Sequence, residues 1–383
     1  MSEKAEKWLK DTCSDLSSRD AELVARAVHI LENNVFRGQK FPWDPYLGIS
    51  PGLPGFNGIW NWDTAFIAEG VSYFDTELAE SSINAFFVFQ DSRGMLPDVV
   101  YPDGRKVDQF TKPPVFAKAA ETVYRRGKNS EFLETIYPKL VKSEIFWTHY
   151  RMHDGLLHYD SFDKDSKDYL LHVRYESGWD NSVRWDKPIC DFWAIDLNCF
   201  MVEFYRSMQY LASELGKDDD IPVWKQKEKS LSELICERMW NENLSAYVDV
   251  NRFTGERSDV LSPASFMPLY IGIAPKEYAE RMDKTAREKF LPGMPTVSYD
   301  NPAHGTDYWR GPTWLNVAYF AAKGLKNYGF DDTANTVKET ILGWCEKNPG
   351  GLYENYDSIT GKGLCFSQFS WSSAFVIEFI LGF

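Results

Sequence analysis

No run of about 20 apolar residues, the length a helix needs to cross the lipid core, occurs in the 383 residues. The six cysteines, at positions 13, 190, 199, 236, 345 and 365, form no CxxC pair and no zinc-ligand spacing. Free thiols are therefore expected rather than a disulfide framework or a zinc site. Basic charge is in deficit: 42 Lys and Arg stand against 56 Asp and Glu, a formal net charge of −14. A phosphate footprint needs clustered Lys and Arg, so DNA, RNA and anionic membrane are disfavoured as partners. The opening MSEKAEKWLKD lacks the apolar core of a secretory signal, and the expected location is cytoplasmic. No Ser/Gly linker or low-complexity stretch divides the chain, which predicts one domain over residues 1–383, with 1–20 as a peripheral N-terminal helix.

Aromatic residues, by contrast, are plentiful: 14 Trp and 20 Tyr. Each pairs a flat apolar face with a polar donor, and sugar rings have apolar C–H faces edged by hydroxyls. Helical periodicity fills much of the rest. Residues 19–34 place Leu23, Val24, Ala27, Val28 and Leu31 on one face. Similar patterns run over 63–90, 114–127, 130–150, 191–216, 223–240, 313–329, 332–348 and 370–383. Between helix pairs lie Pro-, Gly- and Trp-rich segments at 40–61, 92–113, 151–190, 241–270 and 291–312. Loops of that length in a compact domain are usually functional. The alternation predicts an all-α fold, an (α/α)6 barrel or six-hairpin toroid with its long loops gathered at one end.

Those loops share a theme. FPWDPYLG (41–48), WNWDTAF (60–66), SGWDNS (177–182) and YWRGPTW (308–314) each set Trp beside Asp or Arg. Stacking rings with carboxylates between them suit sugar hydrolysis. Glycosidic cleavage needs a protonated carboxyl to donate to the leaving oxygen and a second carboxylate on the opposite face. The acid keeps its proton near neutral pH only where burial raises its pKa. Asp180, after Gly178 and Trp179, fits that part, and Glu354 in GLYENYDSITGKG (351–363) fits the second. Only a closed toroid would bring such distant positions together.

WNWDTAF, ESGWDNS, VSYDNPAHGTDYWRGPTWLNVAYF (297–320), LYENYDSITGKG and FSWSSAF (369–375) occur in the order found in one family. From about residue 40 to 383 the chain resembles glycoside hydrolase family 63, in particular its short bacterial members around the mannosylglycerate and glucosylglycerate hydrolases. Trehalases share the ESGWD-type motif more distantly. The resemblance implies an inverting, exo-acting α-glycosidase on a small α-glucoside or α-mannoside, with Asp180 as general acid and Glu354 as general base. It further implies a sugar held by Asp63, Trp60, Trp62, Trp179, Trp309 and Arg310, and the aromatic motifs add Trp43, Tyr308 and Trp371 to the binding candidates. Glu176 either supports the loop or binds a sugar hydroxyl. Arg310 either starts a helix as an ion pair or keeps a carboxylate ionised.

A glycosylglycerate would also need a basic group for its carboxylate, for which Arg105, Lys106, Lys112, Arg174 and Arg184 are candidates. No cofactor is required by this chemistry. The acidic run with Asp163, Asp165 and Asp168 could hold calcium, but the loop Gly and closing Glu of an EF-hand are missing, so a solvated loop is the expectation. Two other classes stay open. A sugar epimerase on an α/α barrel would need paired bases such as histidine, and His29, His158, His172 and His304 stand outside the aromatic motifs. A non-catalytic sugar-binding toroid would keep the Trp without needing Asp180 and Glu354.

Overall fold

The computed structural model describes residues 1–383. Its helices in chain order are α1 (Glu3–Cys13), α2 (Ser18–Asn33), α3 (Asn61–Val71), α4 (Thr76–Phe87), α5 (Phe116–Gly127), α6 (Ser130–Tyr150) and α7 (Tyr169–Ser177). There follow α8 (Ile195–Glu214), α9 (Asp220–Arg238), α10 (Met267–Tyr270), α11 (Lys276–Lys289), α12 (Leu315–Asn327), α13 (Asp331–Lys347) and α14 (Ser370–Ile377). Strands are two or three residues long; most pair as short hairpins within one loop, whereas Ile59–Trp60 with Val99–Val100 and Phe192–Trp193 with Val250–Asn251 tie separate loops together. No helix is long and apolar enough to cross a membrane.

The periodic stretch 63–90 is not one helix. It breaks at Ser72–Asp75, where the Asp75 side chain accepts from the Leu78 N–H at 3.1 Å and starts α4. An N-cap of that kind satisfies a helix-end donor and so can stop one helix and begin the next without Gly or Pro. Three helices arise inside or beside segments expected as loops: α7, the single-turn α10 with the 3₁₀ turn Pro263–Phe266 before it, and α11. The last is highly charged and buries only Ala279, Met282, Thr285 and Ala286.

Six helices neighbour one another in order: α3 packs on α5, α5 on α8, α8 on α10, α10 on α12, α12 on α14, and α14 back on α3. Behind them lie α4 on α3, α6 on α5, α9 on α8, α13 on α12 and α2 on α14. Burial follows this arrangement. Every residue of α14 is buried, and every residue of α3 except Glu69, whereas α9 buries only Trp224, Leu231 and Ile235. A helix apolar on all sides belongs in an interior, and one with a narrow stripe at the periphery. Where α3 meets α14, Gly70 abuts Ala374, and a Cβ on Gly70 would overlap the Ala374 side chain.

Phe66 of α3, Phe320 of α12 and Phe375 of α14 pack with ring centroids 5.3–5.8 Å apart in the interior. They separate two cavities. One opens among the loops that precede α3, α5, α12 and α14. The other, about 380 Å³, lies toward the far ends of the same helices and carries Glu69, Lys118, Glu203 and Glu378.

The α3–α14 contact should be intolerant of bulk. Gly70→Val is expected to lose about 1–3 kcal/mol in urea denaturation from overpacking. Adding Ala374→Gly should recover part of that loss, whereas Ala374→Gly alone should not stabilise.

Candidate active site

Five loops build the first cavity, and the one following α7 sets their arrangement. Helix α7 ends at Gly178, which adopts a left-handed φ of 76°. A Cβ at this position would overlap the Trp62 indole, so conformation and close approach both require glycine. Just before it, Glu176 is fully buried and bound by Arg151 at 2.9 and 3.0 Å and by the Asp160 N–H at 2.6 Å. Removing one partner of such a buried pair costs about 3–5 kcal/mol. Ser177 Oγ accepts from the Trp179 N–H and from Trp185 Nε1, both at 3.1 Å. Beneath Trp179 and Trp185 lies the Arg184 guanidinium, 4.8 and 4.4 Å from their rings and bonded to Asp196 and Asp249. The turn is thus held rigidly, and Asp180 emerges from it into the cavity.

The YWRG turn is clamped against this loop through Asn181. Its side-chain oxygen accepts from the Trp309 N–H at 2.8 Å, and its backbone oxygen accepts from Arg310 at 3.1 Å. Arg310 completes the clamp with a bidentate pair to Asp186 at 2.7 and 3.0 Å. Trp309 stacks on Trp314 with centroids 4.0 Å apart and planes at 11°, and meets Trp179 at 4.9 Å and Trp62 at 6.3 Å. Trp371 stands edge-on to Trp62 at 5.4 Å, and its indole N–H has no partner in the protein. Tyr308, at φ 45°, donates its hydroxyl to Glu354 Oε1 at 2.7 Å.

The cavity these loops enclose measures about 260 Å³, slightly below the roughly 300–1,000 Å³ usual for ligand sites and of a scale for one sugar ring. Asp63, Asp98, Asp180 and Glu354 line it, with Lys112 as its one cation. Burial pushes the Asp63 carboxyl up to about 8 and that of Asp180 to about 7; Lys112 opposes the shift, and Asp98 and Glu354 add to it. Both therefore hold protons near neutral pH. Burial also raises Glu354, but the Tyr308 hydroxyl favours its ionised form. Burial would lower Lys112, yet Asp98 and Asp180 hold it above its usual value. Lys112 lies 3.0 Å from Asp98 Oδ1 and donates to the Tyr175 carbonyl.

A second, more open chamber of about 620 Å³ joins this one. The two share Tyr175, Asp180 and Tyr308; Asn181, Thr306, Asp307, Arg174 and Cys365 belong to the outer one alone. Asp180 thus stands at the junction, and Glu354 faces only the inner chamber.

Of the residues singled out by sequence, Trp60, Trp62, Asp63, Asp180, Tyr308, Trp309, Glu354 and Trp371 line the inner chamber. Four do not. Trp43 is fully buried between Gly38 and Gly48, against Phe36 and Phe89, where its ring packs the loop. Trp179 lies behind Trp309; Glu176 anchors the loop from beneath; Arg310 turns outward to Asp186. Asp98, Tyr175 and Trp314 line the chamber without being marked as candidates by the sequence, and Lys112, expected only as a carboxylate partner, lines it too. Trp314 closes the YWRGPTW motif, which was its available signal. Asp98 sits in an otherwise unmarked Pro-rich loop. No three His, Cys, Asp or Glu side chains converge as a metal site would require, and Asp163 faces His172 at 3.7 Å.

The sequence profile of the mannosylglycerate hydrolase MGH1-like glycoside hydrolase domain matches residues 57–372. The mannosylglycerate hydrolase of Rubrobacter radiotolerans is 23% identical, over 94% of this chain and 97% of its own. That of Thermus thermophilus is 26% identical, over 83% and 93%. The crystal structure of a GH63 mannosylglycerate hydrolase from another Thermus thermophilus strain, in complex with glucose, superposes with a TM-score of 0.79 at 25% identity, covering 93% of this chain and 99% of that one. Neutral trehalase from Saccharomyces cerevisiae shares the fold at a TM-score of 0.72 and 18% identity, over 92% and 79% of the two chains. The motifs, the paired carboxyls and a profile spanning most of the chain agree: this protein belongs to the MGH1-like glycoside hydrolase domain family and is a family 63 type glycoside hydrolase.

Proposed function

We propose that the protein is an inverting, exo-acting α-glycosidase for a small α-mannoside or α-glucoside of the glycosylglycerate type, working in the cytoplasm. In this reading residues 1–383 form one (α/α)6 barrel, in which α3, α5, α8, α10, α12 and α14 are the inner ring. The observation that carries the reaction is that Asp180 and Glu354 line one chamber sized for a single ring, with the Asp180 carboxyl held at about 7. Its mannosylglycerate hydrolase relatives support the substrate class.

Asp180, at the chamber junction, gives its proton to the glycosidic oxygen as the bond to the anomeric carbon breaks. Glu354, oriented by Tyr308, takes a proton from a water that attacks that carbon from the opposite face. The products are the β-configured sugar and the free aglycone alcohol. Tyr308 thus positions the base through the 2.7 Å hydrogen bond. Asp63, protonated, can donate to a sugar hydroxyl, as can the unpartnered indole N–H of Trp371. Trp62, Trp309 and Trp60 supply apolar faces for the ring. Neither a metal nor a cofactor takes part in these steps.

The competing classes fare worse on specific grounds. No histidine lines the chamber, and His158 is buried elsewhere, with burial pushing its pKa down to about 4, so an epimerase lacks its paired bases. A binding module needs no protonated carboxyl beside a second carboxylate.

Asp180→Asn and Glu354→Gln should each lower kcat by about 10²–10⁴-fold. Proton NMR of the first sugar released from an α-mannoside or α-glucoside should show the β-anomer; early α-anomer would overturn the assignment. The kcat/KM profile should fall as pH rises through about 7, where Asp180 loses its proton, and fall again on acidification as Glu354 gains one. Asp63 sets a stability trend of its own. Its folded pKa of about 8 exceeds the ordinary value of 3.8, so the unfolded chain binds fewer protons between them and stability declines as pH rises across that window. Asp63→Asn should remove this component and raise Tm more at pH 8 than at pH 5, read by calorimetry.

A further inference from the structure

We propose that the outer chamber is the aglycone site and that Arg174 is its specificity-determining residue, binding the carboxylate of a small hydroxy-acid aglycone. The inference rests on the glycosidase reading and adds to it the group that selects an acidic leaving alcohol. Its geometric basis is the junction. If Asp180 protonates the glycosidic oxygen, that oxygen sits where the two chambers meet. The sugar then fills the inner chamber beside Glu354, and the aglycone lies in the outer one.

An anionic aglycone needs a cation that is not already neutralised, and the nearby basic residues differ sharply in this respect. Arg105 is bound to Asp103 at 2.6 Å and Lys106 to Asp108 at 3.0 Å. Lys112 is held by Asp98 at 3.0 Å, and Arg184 is buried between Asp196 and Asp249 at 2.8 Å each. Arg310 pairs with Asp186. Arg174 alone among these pairs with no carboxylate. Its one side-chain hydrogen bond runs from Nη2 to the Trp185 carbonyl at 2.9 Å, which fixes one arm of the fork and leaves the other nitrogens free.

The fork is also well supported. Arg174 sits in the last turn of α7, four residues before the Gly178 terminus, and is half-buried in the chamber wall. A planar guanidinium held at one edge can offer two parallel N–H groups to a carboxylate, which an ammonium cannot match in geometry. The remaining wall suits hydroxyls: Thr306, Asn181, and Asp307, whose Oδ2 is turned to Asn181 at 3.0 Å. One cation with several hydroxyl partners is the complement of a short hydroxy acid such as D-glycerate. A neutral polyol would leave the guanidinium unused.

The test compares a glycosylglycerate with its neutral counterpart, the glycosylglycerol carrying the same sugar. Arg174→Gln should raise KM for the glycosylglycerate about 10- to 100-fold, leave kcat within about 3-fold, and change KM for the glycerol analogue by less than about 2-fold. Arg174→Lys should restore part of the difference, since charge remains without the fork. A loss of equal size on both substrates, or no loss on either, would overturn the proposal. Calorimetric titration of D-glycerate and of glycerol into the wild type and Arg174→Gln gives a readout independent of turnover. D-glycerate should bind the wild type and lose that binding in Arg174→Gln. Equal binding in both, or none in the wild type, would sink the Arg174 assignment even if the protein hydrolyses glycosides. Absence of hydrolysis with intact, Arg174-dependent D-glycerate binding would instead bring down the glycosidase assignment and support the residue's carboxylate role.

Discussion

Trp62 and Gly178 meet so closely that no side chain could stand between them, and the geometry of the site depends on that contact. Trp62 belongs to the first turn of α3, one residue before Asp63, while Gly178 terminates α7 two residues before Asp180. The contact therefore fixes the separation of two carboxyls carried by different elements. Around it the aromatic rings form a continuous cluster from Trp179 through Trp309 to Trp314, Trp62 and Trp371. Each pair of that kind contributes about 0.5–1.5 kcal/mol beyond its buried area. Rigid rings also exclude water, and it is this exclusion that keeps protons on Asp63 and Asp180 near neutrality.

Around the cluster, charge is kept apart by function. Glu176 with Arg151 and Arg184 with Asp196 and Asp249 are buried, mutually satisfied pairs that hold loops. Asp63, Asp98, Asp180 and Glu354 face an open chamber with one cation among them. Like charges gathered in a low dielectric cannot all ionise, so the chamber itself enforces different protonation states on chemically similar groups. The loop pairs make that possible because they hold the backbone against the repulsion.

Much of the helical frame was legible because burial repeats every third or fourth residue. The elements that escaped did so for identifiable reasons: α11 buries few apolar side chains, α10 is a single turn, and the α3–α4 break relies on Asp75 rather than Gly or Pro. The candidate site was legible where Trp and Asp stand together in a motif. It misled at Trp43-Asp44, because the same dipeptide can pack a loop or line a cavity, and only the surrounding fold decides. Asp98 was invisible for the opposite reason: nothing beside it in sequence marks it, and its place comes from the pairing of Val99–Val100 with Ile59–Trp60. Which way a side chain turns was also beyond reach. Arg310 and Arg174 both neighbour the acid loop, one spent on Asp186 and the other bonded only to the Trp185 carbonyl.

The phenylalanines Phe66, Phe320 and Phe375 stop the inner chamber from continuing into the cavity beyond them. A reaction in a blind pocket has an order imposed on it. With the sugar in the inner chamber and the aglycone in the outer one, as proposed, the sugar must enter first, and after cleavage the aglycone leaves before the sugar can. Chain length is limited by the same plug: with nothing beyond the inner chamber, only a terminal ring can be placed, and cleavage of internal linkages is sterically closed. The aromatic plug that completes the core thus also determines the direction in which the reaction can run along its substrate.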